Sequence, residues 1–135
     1  MSRLAHAESF RDLLVYKKAR MISKKIFEIT KSFPKEEMYS LTDQVRRSSR
    51  SIGAQIAEAW AKRRYKKHFV SKLTDADGEQ QETQHWVDTA EDCGYLDRNQ
   101  TQELNNDLSA IGRMLNSMIE KGDMFCDKRS SITDD

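Results

Sequence analysis

The sequence predicts an all-α protein, an antiparallel up-down-up-down four-helix bundle, on three observations. Its 135 residues include one proline and five glycines, too few turn formers for a sheet, while 33% are charged. Apolar residues recur at steps of three and four in four separate segments, each marking one face of a helix. Candidate caps and stops divide those segments, and short connections make consecutive helices antiparallel. A mean hydropathy of −0.83 suits amphipathic helices with wide polar faces around a modest core.

The first helix is expected over 10–33, with Val15, Ala19, Ile22, Ile26, Ile29 and Phe33 on one stripe. Pro34 ends it, because proline lacks a donor and turns the preceding residue away from helix. The second is expected over 41–62, with Ser40 as a capping hydroxyl and Asp43 completing a variant capping box. Its stripe is Val45, Ser49, Ile52, Ile56, Ala59 and Trp60. The junction after it lacks proline and glycine, so a very short turn is expected to lead into the third helix. That helix, over 65–93, aligns Phe69, Leu73, Ala76, Gln80, Thr83, Val87 and Ala90, and Gly94 is its left-handed stop. Gln80 and Thr83 interrupt the stripe, a usual device for fixing a pairing geometry. The fourth, over 97–121, is capped by Asp97, carries Leu104, Leu108, Ile111, Leu115 and Met118, and stops at Gly122. Residues 1–9 are expected to be a flexible N-terminus, 10–122 the bundle, and 123–135 a largely disordered tail without periodicity.

Charge is segregated along the chain. Residues 44–68 carry eight cations (Arg46, Arg47, Arg50, Lys62, Arg63, Arg64, Lys66 and Lys67) against one acid, Glu58. Residues 74–93 carry seven acids and no Lys or Arg, which is why the whole chain is only +1. A dense cationic block with Tyr65 and His68 nearby can grip phosphate, through paired guanidinium hydrogen bonds and ammonium point charges. It can equally be a solvated face, or meet the acidic block of another copy. Arg46 and Arg50 are read as one flank pointing away from the apolar stripe, with Arg64 joining it if the helix continues. Ser49, Gly53, Ala57 and Ala61, four apart, allow close helix approach within one chain or between copies. Trp86, off the core stripe and beside Glu82, is a candidate subunit anchor, or else a ring lying along the surface.

Several chemistries find no support. Glu82 and His85 have di-iron spacing, but such a site needs a second copy of the motif and two further glutamates. No metal or other cofactor is therefore expected. Cys93 and Cys126 form no motif and fit a reduced cytoplasmic setting, and no Gly-rich phosphate loop occurs. No apolar run approaches the ~20 residues that span a bilayer, and the N-terminus has no signal-peptide core. No catalytic residues are assigned, and an enzyme is not expected.

The residues also resemble a bacterial family of four-helix bundle proteins. The resemblance rests on Phe10-Arg11-Asp12-Leu13, Val15-Tyr16, Gln44-Val45-Arg46-Arg47, Ser51-Ile52 and Ile56-Ala57-Glu58, then Ala76, Gly78, Glu82 and Gly94-Tyr95-Leu96. The family includes proteins encoded by intervening sequences within 23S ribosomal RNA genes, and is related to accessory proteins of diversity-generating retroelements. Gln55 and Ala59 depart from its usual Asn-Ile-Ala-Glu-Gly, and Glu79 and Thr83 from its usual Ser and aliphatic residue. The resemblance implies a bundle that assembles into a homo-oligomeric ring, with five copies the best guess. It also implies a basic surface associated with nucleic acid, RNA or an RNA–DNA hybrid, and with a reverse transcriptase. The expectation is a non-enzymatic nucleic-acid-binding or accessory module with Trp86, Glu82 and Arg64 at the copy–copy interface. The alternative is a protein-binding scaffold whose charge blocks pair between subunits.

Overall fold

The computed structural model of the protein describes residues 7–126. Four long helices, α1 (Leu14–Thr30), α2 (Leu41–Ala61), α3 (Lys66–Asp92) and α4 (Arg98–Glu120), are followed by a single turn, α5 (Gly122–Phe125). Short 3-10 turns stand at Phe10–Asp12 and Lys35–Glu37, and no strand occurs among the described residues. Each long helix packs on the next in sequence, and α4 closes the bundle against α1. Among the described residues no helix is long and apolar enough to cross a membrane.

The periodic stripes form the core: Ile26, Ile52, Ile56, Phe69, Leu73 and Leu108 are all fully buried. Two polar positions on α3, Gln80 and Thr83, are buried in that core, and Thr83 links it across helices. Thr83 Oγ1 lies 2.8 Å from Ser48 Oγ on α2 and 2.8 Å from the Glu79 carbonyl, so hydroxyls bridge the α2–α3 seam. Gln80 Nε2 donates to Asp77 Oδ1 at 2.9 Å, while Gln80 Oε1 accepts from Gln84 Nε2 at 2.8 Å. That amide ladder fits only because Gly112 faces it. A Cβ there would stand 2.6 Å from Gln80 Nε2 and 3.1 Å from Asp77 Oδ1.

The ends of the helices depart from expectation in instructive ways. The first segment opens with a 3-10 turn, capped by Ser9 and boxed by Asp12, so α1 itself starts only at Leu14. Ser40 makes no capping bond; the Leu41 amide donates instead to Glu37 Oε1 at 3.4 Å, from the turn before it. Gly94 does take the left-handed conformation, with φ 79°, and the Tyr95 amide closes onto the Ala90 carbonyl at 2.9 Å. Asp97 caps α4 in a reciprocal box with Gln100. Gly122 is not a stop. It begins α5, whose Phe125 is only 5% exposed and stacks on Phe69 with ring centroids 5.6 Å apart. The bundle thus runs past residue 122, because one aromatic without periodic neighbours still finds the core. The expectations of flexibility over 1–6 and disorder over 127–135 lie outside the described residues.

Candidate nucleic-acid interface

The eight cations do not form one patch. Sixteen residues at about 1.5 Å each separate Arg46 from Lys62, so two clusters lie roughly 24 Å apart along α2.

In the first cluster the expected outward flank is wrong for Arg46, which is half-buried and turned onto α1. Its Nε donates to Thr30 Oγ1 at 2.8 Å, an amino group reaches the Phe27 carbonyl at 3.3 Å, and the guanidinium sits 4.7 Å from the Phe27 ring centroid. The cause lies in how α1 ends. The Lys31 amide bonds back to Glu28 and Ile29, leaving the Phe27 carbonyl open at the negative end of the helix. Arg46 and the Thr30 hydroxyl fill that opening. Arg50 is exposed and 5.6 Å from the same ring. Arg47 and Arg50 line a depression of about 500 Å³ between α2 and α3 together with Glu79 and Glu82. This half of the basic block therefore already lies beside part of the acidic block in its own chain.

The second cluster is the α2–α3 turn. Because α2 ends at Ala61, Arg64 does not join the α2 flank but stands in the turn. The Arg63 amide bonds to Trp60 and the Tyr65 amide to Lys62, at 3.4 and 3.1 Å, so the reversal needs no glycine despite the departures at Gln55 and Ala59. Arg63 braces it: Nε donates to the Trp60 carbonyl at 2.8 Å, and the guanidinium stacks 3.6 Å from a Trp60 ring centroid. Lys66 pairs with Asp123 of α5 at 2.8 Å. Lys62, Arg64 and Lys67 are exposed. Arg64 stands 5.8 Å from the Tyr65 ring, whose centroid is 5.4 Å from that of His68. The first turn of α3 holds no acid, so its positive dipole end reinforces the cations. Five cations stand in or beside this turn, and the turn's own four residues, Lys62 to Tyr65, include no acid.

The expected subunit-interface residues occupy two surfaces. Trp86 is half-buried and its Nε1 donates to Glu82 Oε2 at 3.1 Å, while His85 packs edge-on against it at 4.7 Å. Glu82 lies sixteen residues, roughly 24 Å, along α3 from Lys66, whereas Arg64 stands in the turn before that helix. Among the described residues no three His, Cys, Asp or Glu gather as a metal site. The small-residue row meets α1 of its own chain at Gly53, whose would-be Cβ is 3.6 Å from the Tyr16 ring.

Sequence reasoning missed Arg20. With Arg50 it lines an acid-free groove of about 210 Å³ between α1 and α2, whose lining includes Phe10, Tyr16, Gly53 and Ala57. The signal was there: in α1 five cations precede Glu28, its only acid. The opposite end of α2 is acidic and latched. Tyr95 donates to Glu37 Oε2 at 2.8 Å, and that bond, with Glu37's charge, pushes the phenol up to about 12. Lys25 on α1 is raised by its hydrogen bond to Glu103 on α4, with the charges of Glu103 and Asp107 adding to it.

Sequence comparison decides the relationship, since a profile of 23S rRNA-intervening sequence proteins matches residues 11–117. The chain belongs to the 23S rRNA-intervening sequence protein family. The matched stretch contains both cationic clusters, whereas α5 lies beyond it. A solved structure similar to this family member is a protein of unknown function from the S23 ribosomal protein family of Bacteroides thetaiotaomicron. The two share 30% identity and a TM-score of 0.73 over 79% of this chain and 96% of that one. No curated protein matches the sequence.

Proposed function

We propose that this protein is a non-enzymatic, homo-oligomeric module that binds RNA or an RNA–DNA hybrid through the α2–α3 turn. The observation that carries the reading is the turn itself: Lys62 and Arg64 are exposed beside ordered Arg63 and the exposed Tyr65 ring, and the turn residues include no acid. Arg47 and Arg50 contribute secondarily, because Glu79 and Glu82 share their depression. Arg46 belongs to the fold. Contacts are mainly to phosphate, which positions a nucleic acid without reading its sequence.

Assembly multiplies the effect. A head-to-tail ring, with five copies the proposed number, joins one surface of each chain to a different surface of the next. The separation of Arg64 from Glu82 and Trp86 suits that arrangement. The family resemblance makes a reverse transcriptase the proposed partner, with this module as its accessory. The open polar groove between α3 and α4, about 770 Å³ and containing Asp77, Asp88 and Glu120, favours a second reading as a protein-binding scaffold.

Titrating labelled structured RNA and following anisotropy separates the two readings. Nucleic-acid binding predicts a log–log salt slope of about −0.7 to −0.9 per phosphate neutralised. It also predicts loss of binding on Lys62→Glu with Arg64→Glu. No binding at low salt leaves the scaffold reading standing. Light scattering at 15.7 kDa, the mass of one chain, would reject the ring.

A further inference from the structure

Two exposed tyrosines sit in opposite electrostatic settings. Tyr39 is 91% exposed but follows Glu36 and Glu37 in the α1–α2 connection, where a phosphate backbone is repelled. Tyr65 is 40% exposed and stands within the cationic turn, with Arg64 5.8 Å from its ring and His68 forming a tilted wall at 57°. Tyr65 also occupies the N-cap of α3, in extended conformation and without a capping bond. Ser, Thr, Asp or Asn usually fills that position and satisfies a free amide. Here the helix forgoes a cap, and a flat ring is presented between cations instead.

We infer that Tyr65 is a stacking surface for an unpaired nucleobase, with Lys62 and Arg64 holding the flanking phosphates, so that the turn prefers single-stranded nucleic acid. This rests on the nucleic-acid reading above and narrows its ligand. Bases inside a duplex already cover one another's faces, so a protein ring reaches only those that are unpaired. Aromatic stacking next to a cationic groove is the general way of holding single strands without reading their sequence.

The test uses the full chain with a labelled single-stranded oligoribonucleotide and an RNA–DNA hybrid duplex of the same sequence. Tyr65→Ala should weaken single-strand binding roughly fivefold or more, the scale of losing one stacked base. Duplex binding should be unchanged, Tyr65→Phe should retain wild-type affinity, and Tyr39→Ala should have no effect. Circular dichroism checks that each variant keeps its helices. Equal losses on both ligands, no loss on either, or failure of Tyr65→Phe would overturn the stacking role while leaving phosphate binding in place. Wild-type protein that binds neither ligand at low salt would overturn this inference and the underlying reading together.

Discussion

Arg46 and Arg64 belong to one cationic run, yet they do opposite things. Arg46 faces inward and completes the end of α1, bonded to Thr30 and Phe27 and laid over the Phe27 ring. Arg64 projects from a turn, with the Tyr65 ring beside it. The difference comes from the neighbouring backbone rather than from the arginines. A helix terminus with an open carbonyl draws one inward, and a reversal without acids leaves the other outside. Local charge density therefore overstates the surface available to a ligand, and each cation has to be assigned by what it already touches.

The largest expected effect comes from the helix that links the two clusters. Ile52 is fully buried midway along α2, so Ile52→Ala should cost about 2–5 kcal/mol in chemical denaturation. A loss below about 0.5 kcal/mol would mean the stripe does not organise the bundle. Arg46→Ala should cost about 1–2 kcal/mol, the range for charged hydrogen bonds allowing for partial exposure. Arg46→Lys should recover only part of this, because an ammonium cannot reproduce the fork or lie flat over Phe27. Full recovery by lysine would reduce Arg46 to a simple charge and erase its contrast with Arg64.

The acidic end of α2 supplies a pH test that the cationic turn does not. The Tyr95 phenol is raised in the folded chain, so its bond to Glu37 stabilises fully below the ordinary tyrosine value near 10. That stabilisation is lost as pH rises through about 12. Lys25, also raised, acts in the same direction above its ordinary value of 10.5. Melting temperature should therefore fall above about pH 10, and Tyr95→Phe should flatten that fall. An unchanged alkaline profile in Tyr95→Phe would remove the latch. The smallest effect on stability is predicted at the turn: Lys62→Ala and Arg64→Ala should each stay within about 0.5 kcal/mol of wild type.

The fold was legible in the sequence wherever a stripe, a cap or a left-handed glycine carried the signal, as along Val15 to Ile26, at Asp97 and at Gly94. What escaped was decided between segments. Ser40 looked like a cap, but Glu37 lies in the preceding turn and reaches the Leu41 amide first. Phe125 had no periodic neighbours, and only the position of Phe69 explains its burial. Arg46 was misjudged because its angle around α2 says nothing of how α1 ends. Arg20 was overlooked because it joins Arg50 across a helix seam rather than along the chain. The cations of α2 and the α2–α3 turn were visible, but the separation of Arg46, which belongs to the fold, from the exposed arginines and lysines around it was not.

The most direct test compares Arg46→Ala with Lys62→Glu/Arg64→Glu, measuring chemical denaturation and anisotropy with labelled RNA at low salt on the same preparations. The predicted outcome is a crossing pattern. Arg46→Ala loses stability and keeps wild-type affinity, while the turn variant keeps stability and loses binding. Wild-type affinity in the turn variant, or loss of binding without loss of stability in Arg46→Ala, would contradict the assignment of the α2–α3 turn as the nucleic-acid surface.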